Sequence, residues 1–254
     1  MQSGAKAAEA RALDSIWITD HIAIPPDDAE GSGGRYTDPL TTAAWLAAQT
    51  SNIHIGIGVL VIPYRPTLPT LKQIATVHEL SNERLLLGAA VGWMDPEFRA
   101  LGVDRHQRGK LTDEFLAASE AYFSSDVMTL NGQSFITKPN PSAPPIYIGG
   151  GAPHALDRAL KFNHGWLPMS LDSEQLEQDL KTFREKAEAL NRKPGPVAVM
   201  TGLPLADLEA SVARVQAFSK LGVERLICAI RYNTADEYQD QLDLVVEVRE
   251  TAMG

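Results

Sequence analysis

The run Ile53-His-Ile-Gly-Ile-Gly-Val-Leu-Val-Ile62 is apolar at nearly every position. A strand with one wet face alternates apolar and polar residues. One that does not alternate is covered on both faces, as in a parallel sheet flanked by helices. Gly56 and Gly58 interrupt the run, and glycine inside a strand marks a bulge or a close approach by backbone or ligand. The pattern extends outward on both sides. Upstream stand a short strand over 15–20, a loop carrying Pro25, Pro26 and the glycine-rich run 31–34, and a helix with Asp38 as N-cap and Pro39 at its first position. Downstream come a helix over 69–80, a strand over 84–91 that ends at Gly92-Trp93, and helices near 97–100 and 111–123.

The rhythm breaks at 126–136, where two short runs flank Asn131-Gly132 and predict a β-hairpin outside the alternating pattern. It resumes with a strand at 145–148, then Gly149-Gly150-Gly151 and a helix from Pro153 to about Phe162. Strands at 165–169, 197–201 and 224–230 follow, separated by helices over 172–190 and around 208–221. The 172–190 helix has an apolar stripe at 176, 180, 183, 187 and 190. Thr234 and Glu237 read as a capping box for the last helix. Alternation of strands and helices predicts the α/β class. Seven strands of this kind in 254 residues point to a (β/α)8 TIM-type barrel, whose closed form has eight strands in about 250 residues. The whole chain, 1–254, reads as one barrel domain. No Gly-x-Gly-x-x-Gly follows the first strand, so a dinucleotide-binding sheet fits poorly.

Asp and Glu total 32 against 23 Lys and Arg, a formal charge of −9. Such a chain lacks the basic face of a nucleic-acid binder and gives no support to attachment at an anionic membrane. No window of about 18 residues is apolar and uncharged enough to span a bilayer, and residues 1–10 lack the apolar stretch of a signal peptide. A cytoplasmic protein is expected. The single cysteine, Cys228, excludes an internal disulfide and a Cys-rich zinc site, and within Arg225-Leu-Ile-Cys-Ala-Ile230 it reads as a buried core residue. The six histidines show no ligand spacing, and no metal is expected.

Several segments together carry a family likeness. Asp14-Ser-Ile-Trp-Ile-Thr-Asp-His21 resembles the second-strand motif of the luciferase-like monooxygenases, and Ile55-Gly-Ile-Gly-Val-Leu-Val-Ile-Pro63 the third. Arg84 to Trp93, followed by Glu97-Phe98, Leu101-Gly102, Arg108 and Asp113-Glu114, resembles the fourth strand and its long signature, and Pro145 to Gly150 the fifth. The 84–114 signature looks most like the branch that uses coenzyme F420, an 8-hydroxy-5-deazaflavin, while close relatives use FMN. The resemblance implies a bacterial-luciferase-like barrel whose visible strands are the family's second to eighth. The first strand is missing, and a true start upstream is the expected explanation. Relatives are often homodimers, and the same is expected here.

The likeness also implies a site at the C-terminal ends of the strands. His21 would face the reactive ring edge and handle a proton, and Asp20 would hydrogen-bond cofactor hydroxyls or ring atoms. Gly58, Val59 and Leu60 lie where relatives carry a bulge and a non-proline cis peptide against the ring, expected here between Val59 and Leu60. Val91 and Gly92 end the next strand close to the cofactor, with Trp93 as a wall. Gly149, Gly150 and Gly151, leading into a helix, suit a phosphate. Relatives place Ser or Thr at Ala152 and Asp at His164, and His154 is positioned to replace the lost hydrogen bond. Glu97, Arg108 and Glu114 are expected to form an ion-pair set holding helices.

The activity implied is hydride transfer between a deazaflavin and a small organic substrate. The substrate would occupy an apolar pocket formed by loop 22–38, Trp93 and the hairpin. An FMN-dependent monooxygenase is the alternative within enzymes, and a non-catalytic flavin-binding or degenerate barrel the alternative outside them. An aldolase or isomerase would need a Schiff-base lysine or metal carboxylates at strand ends, and Lys138 and Lys161 do not stand there.

Overall fold

The computed structural model describes residues 1–29, 32–169 and 172–254, so Gly31 of the expected glycine-rich loop lies outside the described residues. The chain divides into a central unit, Trp17–Ile146, and a terminal unit, Met1–Ile16 with Tyr147–Gly254. It opens with α1 (Gln2–Ala10) and β1 (Ser15–Ile18), the strand in which the division falls.

The central unit continues with α2 (Pro39–Ala47), β2 (His54–Val61), α3 (Thr67–Leu80), β3 (Leu85–Ala90), α4 (Asp95–Leu101) and α5 (Arg108–Ser124). Strands β1, β2 and β3 are neighbours in that order. Asp38 caps α2 as its sequence demands, its carboxylate accepting the Thr41 amide at 2.8 Å. Gly102 ends α4 with a left-handed φ of 67°. The unbroken apolar run of β2 is explained by its burial. Ile55, Ile57 and Leu60, with Leu85 and Leu87 of β3 and Leu71 of α3, have no exposed surface, each contributing about 1.5–3 kcal/mol. Gly56 is there for Trp17: a Cβ would stand 2.2 Å from the indole.

β2 and β3 run parallel, with Ile57 opposite Leu87 and Leu60 opposite Ala89. Gly58 and Val59 therefore face a single residue, a β-bulge. The non-proline cis peptide joins these two bulged residues, Gly58 and Val59. That is one bond earlier than the sequence suggested, because Leu60 has already rejoined the ladder and its side chain is in the core.

The entry end of this strand pair is built on Arg84. Its guanidinium is buried and donates to the carbonyls of Ser81 (2.6 Å), Ile53 (2.7 Å), Ala47 and Thr50 (both 3.0 Å), and to the Thr50 hydroxyl (2.9 Å). One side chain thus ties the end of α2, the start of β2 and the turn after α3. The hairpin forms as predicted, from β4 (Val127–Leu130) and β5 (Gln133–Ile136), and positive φ at both Asn131 (51°) and Gly132 (77°) closes it.

The terminal unit takes over within β6 (Ile146–Gly149) and continues with α6 (His154–Phe162), β7 (Gly165–Leu167), α7 (Ser173–Ala189), β8 (Ala198–Thr201), α8 (Leu208–Lys220), β9 (Arg225–Cys228) and α9 (Ala235–Met253). β6 and β7 pair in parallel with Ile148 opposite Trp166, single bridges link Trp166 to Val197 and Met169 to Met200, and β8 pairs in parallel with β9. Trp166, Leu167, Leu156, Leu176, Phe183 and Phe218 form its core. The α7 stripe holds at Leu176, Leu180, Phe183 and Ala187, but Leu190 is past the helix end and exposed. Thr234 caps α9, though the Glu237 side chain reaches back to the Asn233 amide, one residue beyond the usual box. Cys228 is half-buried rather than fully buried, and burial raises its thiol pKa. α1 is held to α9 by Arg11, which donates to the Asp243 carboxylate at 2.6 and 3.0 Å and to the Gln239 side chain at 2.8 Å.

Candidate active site

Beyond the end of β1 the chain delivers Asp20 and His21, and the turn after β3 delivers Glu97 on α4. Glu97 is wholly buried. Its Oε1 accepts the amides of Ile22 (2.6 Å) and Ala23 (2.9 Å), and its Oε2 accepts the Tyr64 hydroxyl (3.0 Å) and lies 2.9 Å from Nδ1 of His21. Burial would push this carboxyl up. The amides of Ala23 and Ile22, with His21 and Tyr64, outweigh burial and hold it below the usual carboxylate range. Burial, with the Glu97 charge next to it, raises the Tyr64 phenol. Glu97 is therefore an anion, and an anion can only accept. Nδ1 of His21 carries the proton between them, and Nε2 is left to meet a ligand.

Asp20, also buried, anchors the same end. Its carboxylate takes a two-pronged bond from Arg65 (2.6 and 2.8 Å) and the amide of Val61 (2.9 Å), while Arg65 reaches Asp38 at 3.2 Å. This fixes the chain leaving β2 against the chain leaving β1. Gly92 has a φ of 78°, and a Cβ there would stand 2.6 Å from Val61, so glycine is required for the turn itself. Trp93 beyond it is 69% exposed, and its ring stands edge-on to His21, with Tyr36 edge-on from loop 22–38.

In the terminal unit, the glycine triplet follows β6. Gly150 is committed within the loop: its amide donates to the Leu167 carbonyl (3.3 Å), and its carbonyl accepts the Trp166 indole (2.8 Å). Gly151 faces open space, with nothing within 4 Å of the place a Cβ would take. α6 begins just beyond, and no side chain caps its N-terminus. His154 is exposed in its first turn. His164 precedes β7 at the opposite, entry end, and burial lowers its pKa to about 4. A cleft of about 610 Å³ on α6 and α7, lined by Asp157, Lys161, Lys186 and Arg192 among others, lies towards the C-terminal ends of these helices, away from the glycine triplet.

The residues singled out in the sequence thus fall into two sets: Asp20, His21, Gly58, Val59, Leu60, Val91 and Gly92 in the central unit, and Gly149, Gly150 and Gly151 in the terminal one. The expected ion-pair set of Glu97, Arg108 and Glu114 does not form. Arg108 donates to the Arg105 carbonyl, Glu114 pairs with Lys110 one helical turn away, and Glu97 is engaged by His21 and two amides. Arg65 and Tyr64 carried no sequence signal, since what marks them is a partner tens of residues away. Among the described residues no helix is long and apolar enough to cross a membrane.

An imidazole oriented by a buried carboxylate, at the exit ends of parallel strands, is the equipment of an α/β enzyme that moves protons. The comparisons with known proteins define the enzyme class. Residues 2–246 match the luciferase-like monooxygenase model, and the chain belongs to that family. An uncharacterised protein of Mycobacterium tuberculosis is 30% identical over 204 residues, 72% of this chain and 70% of its own length. The F420-dependent glucose-6-phosphate dehydrogenase of Kineococcus radiotolerans is 28% identical, covering 75% of this chain and 58% of that protein. The FMNH(2)-dependent dimethylsulfone monooxygenase of Pseudomonas fluorescens is 28% identical over 57% of this chain and 42% of its own. Among solved structures, a monooxygenase from Streptomyces bottropensis superposes with a TM-score of 0.82 at 15% identity, covering 100% of this chain and 93% of that one. The fold is accordingly the luciferase-like barrel, and the protein is an enzyme of the oxidoreductase and monooxygenase class.

Proposed function

We propose that this enzyme passes a hydride between coenzyme F420 and a small organic substrate. The observation that carries the reading is the bond from His21 Nδ1 to the buried Glu97 carboxylate. It leaves Nε2 to hold the proton that leaves or joins the substrate oxygen as the hydride moves. The wider match to the F420-dependent relative, 75% of this chain against 57% for the FMNH(2)-dependent one, supports the deazaflavin. That second relative keeps an FMN-dependent monooxygenase as the other reading.

The residues present suit such a cofactor, which supplies the hydride chemistry when bound. In the central unit the bulge at Gly58–Val59 offers backbone beside the half-buried Val59 side chain, with Leu60 back in the ladder, Val91 and Gly92 following the end of β3, and Asp20 anchoring the strand ends. In the terminal unit the open position at Gly151 and the uncapped start of α6 suit a phosphate, while Gly149 and Gly150 hold the loop. The proposal takes the chain as one cytoplasmic barrel domain acting as a homodimer on a small molecule. The test is separate titration of purified protein with coenzyme F420 and FMN, followed by fluorescence. Tight F420 binding, with turnover lost about 10²–10⁴-fold in His21→Ala, supports the reading. Tight FMN binding instead moves it to the monooxygenase, and binding of neither overturns it.

A further inference from the structure

The rings flanking His21 are aromatic on two sides. Tyr36 lies edge-on with 4.8 Å between ring centres and 61° between planes, and Trp93 with 6.3 Å and 86°. Trp93 is 69% exposed, and Ile22, next to His21 in the chain, is 46% exposed. One exposed apolar side chain needs no explanation. Several large ones at the residue whose free nitrogen does the chemistry mark a binding surface. Among the described residues, the charged groups bonded into this cluster are matched. Arg65 is held by Asp20 and Asp38, and both oxygens of Glu97 take two donors each. Among the described residues of this cluster, what is left to offer a ligand is aromatic surface and one hydrogen-bonding nitrogen.

We infer that Tyr36 and Trp93 determine substrate choice, selecting a flat, uncharged, ring-bearing molecule whose one polar oxygen meets Nε2 of His21. A flat ring packs against aromatic edges and faces, whereas a carboxylate or phosphate would be desolvated there, since the cation bonded into this cluster, Arg65, is taken by Asp20 and Asp38 and Arg35 beside Tyr36 is exposed to solvent. The inference deepens the oxidoreductase reading of the same site and rests on it.

Acetophenone, with benzoate as its charged counterpart, serves as the probe. Binding is measured by calorimetry on the full chain, with and without coenzyme F420. Acetophenone is expected to bind at least about tenfold tighter than benzoate, and Trp93→Ala and Tyr36→Ala each to weaken it about three- to tenfold. Trp93→Phe and Tyr36→Phe keep a ring and retain most of the affinity, which separates lost packing from a lost fold. Equal binding of benzoate, indifference to both alanine substitutions, or no acetophenone binding in either state overturns the inference. The cofactor titration on the same samples reports separately. F420 or FMN bound with acetophenone indifferent to Trp93 and Tyr36 sinks this inference alone. Ring-dependent acetophenone binding without either cofactor upholds the surface and sinks the cofactor reading.

Discussion

The two ends of the β2–β3 pair each bury a charged group, and they satisfy it in opposite ways. At the entry end Arg84 donates to four carbonyls and a hydroxyl, fixed neutral acceptors with no proton to exchange. At the exit end Glu97 is satisfied by amides, a phenol and an imidazole, and one of these donors, His21, has a second nitrogen to spare. The first arrangement can only hold the strands together. The second holds them and also presents a group that can take or give a proton. On the proposed role of His21, stability and chemistry are separated along one pair of strands, as the barrel architecture favours.

The largest expected effect comes from breaking the entry end. Arg84→Met leaves several buried carbonyls without a donor and should cost about 3–5 kcal/mol in urea unfolding. Cofactor affinity of the protein that remains folded should be unchanged. Loss of affinity ahead of loss of stability would mean the two ends are not separate. At the exit end the balance reverses: Glu97→Gln should lower turnover about 10²-fold while costing only about 1–2 kcal/mol of stability. Steady-state kinetics beside the same unfolding curve checks this.

Acid should distinguish the ends as well. His78 on α3 and His164 before β7 both have pKa values lowered by burial, that of His164 to about 4. A base with a depressed folded pKa leaves stability intact above its unfolded value of about 6.5. Below that the unfolded chain binds more protons, so stability falls towards pH 4. For the partly exposed His164 the loss should be on the order of 1–2 kcal/mol after allowing for solvent screening, and His164→Asn should flatten that part of the curve. Glu97 and Asp38, lowered carboxyls, act in the same sense but over a lower window: their contribution is intact above about pH 4.5 and is lost as the pH falls below it. The smallest effect is expected at the rim. Asp38→Asn keeps a capping oxygen and leaves Arg65 its bond to Asp20, so unfolding should shift by less than about 1 kcal/mol.

Much of the fold was legible because its signals are local. The apolar run of β2, the Asp38-Pro39 start of α2 and the Asn131-Gly132 turn each act within a few residues, and the elements stand where those signals put them. Resemblance picked out His21 and Asp20, but not what holds them. Glu97 reads in sequence as a helix-surface acid near Arg108 and Glu114, and nothing local says that its partners are residues 21 to 23 and Tyr64. The cis bond was misplaced by one residue for a related reason. A bulge is defined by what faces it, and the return of Leu60 to the ladder depends on Ala89 in another strand.

The most direct test of this account is the protonation of the His21 ring, read by nitrogen-15 NMR of histidine-labelled protein at a pH where the ring is neutral. The account predicts the proton on Nδ1, bonded to Glu97, with Nε2 bare, and loss of that preference in Glu97→Gln. A ring protonated on Nε2 in the parent protein, or one indifferent to Glu97, would contradict it.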